Sequence, residues 1–392
     1  MKKKKLLSFL LAGALSVSAL SIPAVAIAKA NEATKQTYVP TISSKENTMK
    51  IDLLSGQILK FASNYSKAYA DKVIKDDLQI DRFAPTPAKL TWEAEGGALY
   101  YTLKVSKNPD LSDAQIFLTF TNEQSIEDLL MGTKYYYQVV AQFENKTVKS
   151  QIFSFETSYL PRTIEAEGIS NTRDAGGYYT EDKTHRIRQG MVYRGGKIED
   201  GTEAGKAKLL NYYGVKTDLD LRAEATVSPL GPTVNFVNVS GPYYAGSGDS
   251  GTGINSLADS SKGSWKGTYR DALLEEIRTF TNPENYPIYV HCSLGRDRTG
   301  TIIFLINALC GVGEMDLFMD YEASFFSRVG RLDNQTASNL VRGAFTNLYN
   351  YIRMKAPKKS LAEATELFML EIGITQEEID SIRNILLEEV QA

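Results

Sequence analysis

Pro287-Ile288-Tyr289-Val290-His291-Cys292-Ser293-Leu294-Gly295-Arg296-Asp297-Arg298-Thr299-Gly300 opens a stretch that continues through an apolar segment to Leu309. Ile288-Tyr289-Val290 reads as a short buried strand, and the apolar run from Thr301 reads as a helix. The loop between them meets a helix N-terminus, where unpaired N–H groups and the helix dipole favour anions. A thiol attacks as its thiolate, a form favoured by cations and helix N-termini, and Cys292 occupies such a place. Arg298 offers a planar fork of donors to a phosphoryl group, and Gly295 lets the backbone curl so that successive N–H groups point inward. Thr299 is expected to hydrogen-bond the thiolate, and His291 to brace the loop.

Arginine at the sixth position after cysteine is a weak signal by itself; Cys310, followed at that distance by Asp316, fails it. The joint match of His, Cys, Gly, Arg, Thr and Gly between strand and helix is far stronger. His291-Cys292-x5-Arg298-Thr299-Gly300 resembles the signature of cysteine-dependent protein tyrosine phosphatases. Its Gly295–Gly300 half resembles the Gly-Lys-Asp-Arg-Thr-Gly form of bacterial secreted tyrosine and phosphoinositide phosphatases. Arg296 stands in place of the usual lysine, keeping the charge but turning a point ammonium into a planar fork.

The 392 residues, 43% of them hydrophobic, allow a sizeable core and more than one domain. Residues 1–30 combine Lys2 to Lys5, an apolar run from Leu6 to about Ile22, and Ala28-Lys29-Ala30 as a small-x-small cleavage site. This reads as a signal peptide, with export after cleavage near Ala30. A membrane anchor fits less well, because the strongly apolar part is short and rich in small residues. The segment holds five lysines and no acid, so its removal leaves 39 basic against 47 acidic residues, a net charge of −8. An acidic chain argues against general nucleic-acid binding.

Two cysteines and two histidines, His185 and His291, exclude a disulfide framework and a multi-histidine metal centre. A Cys292–Cys310 bridge fails on length: eleven helical residues span roughly 16 Å, beyond disulfide reach. Both thiols are expected free, with Cys310 a buried small hydrophobe. No metal and no cofactor are expected.

Residues 31–82 read as a polar leader followed by a helical pattern over Met49 to Ile80. Residues 83–160 alternate in strand fashion, as in Tyr135, Tyr137, Val139 and Ala141, and imply a small all-β sandwich. The Trp92 region and the Gly132-Thr133-x-Tyr135-x-Tyr137-x-Val139 run resemble a fibronectin type III module. Its tyrosines suit a core better than a binding face, though a protein or surface partner remains an alternative.

Residues 161–392 alternate strands with helices and read as an α/β catalytic domain. Asn171-Thr172-Arg173-Asp174-Ala175-Gly176-Gly177 and Val192-Tyr193-Arg194-Gly195 resemble segments at the start of the same phosphatase family. Arg173 and Arg194 either shape the pocket or pair with an acid. Ala204 to Tyr213 reads as a helix. Asp220-Leu221-Arg222 resembles the family's strand end beside the cysteine-bearing strand, and Asp220 either approaches the loop or bonds Arg222. Thr226 to Trp265 reads as a long lid or substrate-facing loop, and Trp265 to Phe280 as a helix. Met315 to Phe326 and Asn339 to Ile352 read as helices, and Thr375-x-x-Glu378 caps a last one ending near Val390. The fold expected is thus α/β, a cysteine-phosphatase-like central sheet flanked by helices, after an N-terminal all-β sandwich.

The resemblance implies phosphoryl transfer through a phosphocysteine on Cys292, with Arg298 and the loop amides stabilising the equatorial oxygens. Ser293, Leu294, Gly295, Arg296, Thr299 and Gly300 are the expected substrate-binding loop, joined by Arg173. The resemblance points to Asp297 as a general acid, and Asp220, Asp249 and Asp259 stay open as rivals. Phosphotyrosine protein is the expected substrate; phosphoinositides or inositol phosphates are the alternative, since Arg296 beside Arg298 favours extra phosphates. A secreted binding protein with an anion cradle is the reading from a different class.

Overall fold

The computed structural model describes residues 42–44, 50–66, 84–222, 225–239, 268–327 and 348–390, all within the compact unit Pro40–Ala392. The site is carried by a five-stranded sheet of β1 (Arg173–Asp174), β2 (Val192–Gly195), β3 (Thr217–Asp220), β4 (Asn235–Asn238) and β5 (Ile288–His291). Its order is β1-β2-β5-β3-β4; β1 runs antiparallel to β2, and the other pairs are parallel. Parallel strands buried on both faces carry near-continuous apolar runs. β5 fits that rule, with every residue buried. Register sets Gly195 on one side of His291 and Asp220 on the other, so three strand ends converge where the loop begins.

Helices α1 (Thr268–Arg278), α2 (Asp297–Leu309), α3 (Glu314–Ala323), α4 (Leu361–Ile372) and α5 (Gln376–Leu386) accompany this sheet. From Thr299 to Leu309 every residue of α2 is buried. A helix that is apolar all round belongs at the centre of a core. Here α1, α3, α4 and α5 pack around it. Both α4 and α5 start with full capping boxes, Ser360 with Glu363 and Thr375 with Glu378. The second of these matches the expectation from sequence; α4 is not among the helices expected.

Several boundaries move. The last helix stops at Leu386, because Leu387–Glu389 pairs antiparallel with His185–Ile187. The long loop from Thr226 contains β4, which extends the sheet beyond β3; Asp249 and Asp259 lie outside the described residues. The helix expected over Ala204 to Tyr213 is a short α-helix, Glu203–Ala207, followed by a π-turn at Lys208–Tyr212. Of the pattern from Met49, the described part is a short strand at Lys50–Ile51 and a helix at Gly56–Ser63. The Phe61 ring of that helix packs against Phe326, in the same hydrophobic cluster as α2. Residues 348–355 are helical; the earlier part of the Asn339 to Ile352 helix lies outside the described residues.

The N-terminal strands form a sheet in the order Lys50–Ile51, Phe153–Thr157, Lys134–Gln142, Tyr100–Ser106, Gln115–Thr119, with Thr147–Lys149 also against Lys134–Gln142. A separate pair, Ala88–Thr91 with Glu123–Ile126, shares its apolar cluster around Trp92, Leu103 and Tyr137. Tyr135, Tyr137, Val139 and Ala141 all point into that cluster, as strand alternation requires. Where this region meets the residues after 160, Gln189 exchanges two hydrogen bonds with the backbone of Met131, and Tyr213 donates to Asp128 at 2.6 Å. Among the described residues, no helix is long and apolar enough to cross a membrane.

Candidate active site

Cys292 follows the last residue of β5, and the loop turns into α2 at Asp297. Gly295 has φ +67°, a left-handed conformation that glycine adopts without cost. A side chain there would run into the carbonyl of Gly195. Glycine is therefore required twice over, by conformation and by close approach.

Three residues hold the outside of the loop. The Asn171 amide donates to the carbonyls of Leu294 and Gly295, each at 3.0 Å, and Arg194 Nη2 donates to the Gly295 carbonyl at 2.8 Å. In a trans peptide the N–H points opposite to the C=O. Fixing those carbonyls outward therefore turns the following N–H groups, of Gly295 and Arg296, toward the interior of the loop. Arg173 supports Asn171, donating to its side-chain oxygen at 2.6 Å.

Behind them stands Asp320 of α3. Its carboxylate takes Arg173 Nε at 2.8 Å and Arg194 Nη1, with all three side chains buried. Burial opposes the charge, but the two guanidinium groups outweigh it and hold the carboxyl below the usual carboxylate range. From the sequence Arg173 either joins the substrate-binding loop or pairs with an acid. It is fully buried and hydrogen-bonded to Asp320, Asn171 and Ser324, so its place is that of a loop brace.

On the opposite side His291 is fully buried and bonded through Nε2 to Asp218 at 2.8 Å. Ser228 donates to the other oxygen of Asp218 at 2.6 Å. This triad ties β5 to β3 immediately beneath Cys292. Asp220 belongs to the same buried layer. Arg222 donates to both its oxygens at 2.8 Å and reaches Glu199 as well. Asp220 is thereby tied to Arg222 at the strand end, the second of the two places open to it from the sequence.

Within the loop, Ser293, Leu294, Asp297 and Arg298 are partly exposed, whereas Cys292, Gly295, Arg296, Thr299 and Gly300 are buried. Arg298 Nη1 donates to the Leu221 carbonyl at 2.9 Å, and the Leu221 N–H donates to the His291 carbonyl at 2.9 Å. The guanidinium is thereby pinned beside the strand that bears the cysteine. Arg296 makes two parallel hydrogen bonds of 3.0 Å to the two oxygens of Asp297 and lies over the Phe325 ring. That bidentate geometry suits a guanidinium and would not be reproduced by lysine. Gly300 packs under the Tyr321 ring. Among the described residues the buried Thr299 hydroxyl has no hydrogen-bond partner, so the bond to Cys292 expected from sequence is not formed. Both cysteines are free; burial pushes the Cys310 thiol up to about 12.

Asn171, Asp218 and Asp320 are not singled out by the sequence. Asn171 adopts φ +61°, a conformation asparagine tolerates better than most residues, and an isolated asparagine ahead of a glycine-rich segment is the signal that marks it.

A family model described as the tyrosine phosphatase family matches residues 164–388, which includes the whole five-stranded sheet and the loop. Similar proteins include OCA1 of Saccharomyces cerevisiae, named a candidate tyrosine-protein phosphatase, 31% identical over 26% of this chain and 42% of that protein. DG1060 of Dictyostelium discoideum, likewise named a candidate tyrosine-protein phosphatase, is 29% identical over 20% of this chain and 46% of that protein. This chain thus spans less than half the length of these curated relatives. A solved structure, the core catalytic domain of the PP-IP phosphatase SIW14 from S. cerevisiae in complex with citrate, matches 47% of this chain and 96% of its own. It does so at 16% identity with a TM-score of 0.26. The family match covers more than half of the sequence and contains the loop built around Cys292 and Arg298: the chain belongs to the tyrosine phosphatase family.

Proposed function

We propose that the protein hydrolyses phosphate monoesters, protein phosphotyrosine first among them, through a phosphocysteine on Cys292. The observation that carries this reading is the loop whose Leu294 and Gly295 carbonyls are held outward by Asn171 and Arg194 above the cysteine. Cys292 Sγ attacks phosphorus in line with the leaving oxygen, forming an S–P bond as the P–O bond breaks. Arg298 and the loop N–H groups receive the equatorial oxygens, where charge is spread in the transition state. Asp297, partly exposed at the loop rim, gives its proton to the leaving oxygen and then takes one from the water that hydrolyses the phosphocysteine. No metal or cofactor enters this scheme.

A second reading of the substrate rests on Arg296. Its fork is engaged with Asp297, and a substrate bearing further phosphates, such as a phosphoinositide or inositol polyphosphate, competes for that fork and frees the aspartate. Export after cleavage near Ala30 and a fibronectin type III-like module over residues 83–160 with a protein or surface partner belong to the same proposal. They rest on the sequence patterns described above.

The test is hydrolysis of p-nitrophenyl phosphate with and without chelator, followed by a panel of phosphotyrosine peptides and phosphoinositides. Activity on the first compound that is indifferent to chelator, with preference for the peptides, supports the reading. A protein that binds phosphate but turns over none of these substrates is an anion-binding protein instead.

A further inference from the structure

The supports of the loop lead back to α3. To Arg173 this part of the chain presents three acceptors: the carboxylate and the carbonyl of Asp320, and the hydroxyl of Ser324 just beyond the helix. A helix rises about 1.5 Å per residue, and a slide of that size along its axis takes such acceptors out of hydrogen-bond reach. Where α4 and α5 begin with capping boxes, α3 begins after Gly313, which has no side chain to cap it. Contacts from other elements therefore fix its place.

Tyr159 donates from its hydroxyl to Asp316 at 2.6 Å, one turn of α3 ahead of Asp320. The same hydroxyl accepts the Tyr179 N–H at 2.9 Å, and the two rings stack with centroids 4.9 Å apart. Next to Tyr179, the Tyr178 hydroxyl donates to Asp320 itself at 3.3 Å. Toward the other end of α3, Tyr65 donates to Glu322 at 3.0 Å. Phe61, whose ring meets Tyr65 edge-on, packs on Phe326 with centroids 4.8 Å apart. Asp316 and Asp320 stand four apart and share a face of the helix, whereas the spacing of Glu322 puts it on another side. The two tyrosines thus grip α3 from different directions.

Phe61, Tyr65 and Tyr159 all precede residue 164, where the family match begins. We infer that Tyr159 and Tyr65 are positioning residues for the Cys292 loop: they hold α3 where Asp320 meets Arg173 and Arg194, so that chain ahead of the matched region helps to shape the site. The effect reaches the loop in series. Tyr159 holds Asp316, α3 carries Asp320, Asp320 holds Arg173, Arg173 holds Asn171, and Asn171 holds the carbonyls of Leu294 and Gly295. Groups linked in this way couple, so their losses do not add. Because the loop is taken as the site of the proposed hydrolysis, turnover reads the effect; hydrogen exchange reads it whether or not the loop is catalytic.

The test is Tyr159→Phe in the whole protein, alone and combined with Asn171→Ala. Exchange is followed at the Gly300 amide, which donates to the Arg296 carbonyl at 2.8 Å, and along α5, which lies away from α3. Losing a hydrogen bond to a charged acceptor is expected to speed exchange at Gly300 by about tenfold and leave α5 unchanged. On p-nitrophenyl phosphate, kcat/KM is expected to fall by about tenfold in the parent and by about threefold or less in the Asn171→Ala background. Exchange that quickens equally at Gly300 and in α5, or at neither, overturns the inference, as does an equal loss of kcat/KM in both backgrounds. A parent protein inactive on this substrate overturns the phosphatase reading instead, and exchange alone then decides the role of Tyr159. Should Tyr159→Phe not fold, Tyr65→Phe, at a half-buried residue, is measured in the same way against the same outcomes.

Discussion

The side-chain amide of Asn171 donates to the carbonyl of Gly295 at 3.0 Å, joining residues 124 positions apart. That bond and its neighbour to Leu294 fix the outer rim of the loop. Asn171→Ala removes both and leaves two carbonyls to Arg194 and water. Each such bond contributes about 1 kcal/mol to stability, so the melting temperature moves little. The loop N–H groups lose their orientation, and kcat/KM on p-nitrophenyl phosphate is expected to fall by about tenfold or more. An activity loss no larger than the stability loss would show that Asn171 only packs.

Asp320→Asn leaves two buried guanidinium groups without their shared carboxylate. Removing one partner of a buried pair costs about 3–5 kcal/mol, measurable by denaturant unfolding. The sign with pH follows from the depressed carboxyl of Asp320. Its contribution is fully present above the usual carboxylate value and is lost as pH falls through the lower folded value. The gap between the parent protein and Asp320→Asn therefore narrows below about pH 4. A gap that stays constant down to acid unfolding contradicts the role given to Asp320.

Asp297→Asn separates acid catalysis from binding. General-acid assistance typically contributes about 10²–10⁴-fold. The loss of kcat is expected to be large for phenyl phosphate, whose leaving oxygen needs the proton, and much smaller for p-nitrophenyl phosphate. Equal losses on both substrates point to a structural effect through Arg296 instead.

The two thiols are expected to differ. Burial raises Cys310 to about 12, so it stays protonated and inert at neutral pH. Iodoacetamide should modify Cys292 in the native protein, with protection by phosphate, and reach Cys310 only after unfolding. Modification of Cys310 in the native state at neutral pH contradicts its placement.

Much of the loop is legible in the sequence because its chemistry is local. Cys292, Gly295 and Arg298 lie within one turn whose spacing is set by a strand meeting a helix. The supports are not legible, since Asp320 reaches Arg173 and Arg194 across 147 and 126 positions. No periodicity marks an aspartate placed on a mostly buried helix. For the same reason the sequence leaves Arg173 open between pocket and acid partner: its buried partner lies on an element distant in the chain. Tertiary pairing also overrides local signals at the chain's end, where Leu387–Glu389 leaves the helical pattern to meet His185–Ile187. That Cys292 and Cys310 stay free reads from the length of α2 alone, and there local geometry suffices.

The central claim, covalent catalysis by Cys292, is tested most directly by quenching the enzyme in acid during turnover of a phosphotyrosine peptide and analysing the Cys292 peptide by mass spectrometry. The account predicts one added phosphoryl group on Cys292 in the parent protein, and none, with hydrolysis at the buffer background, in Cys292→Ser. Hydrolysis that survives in Cys292→Ser would contradict it.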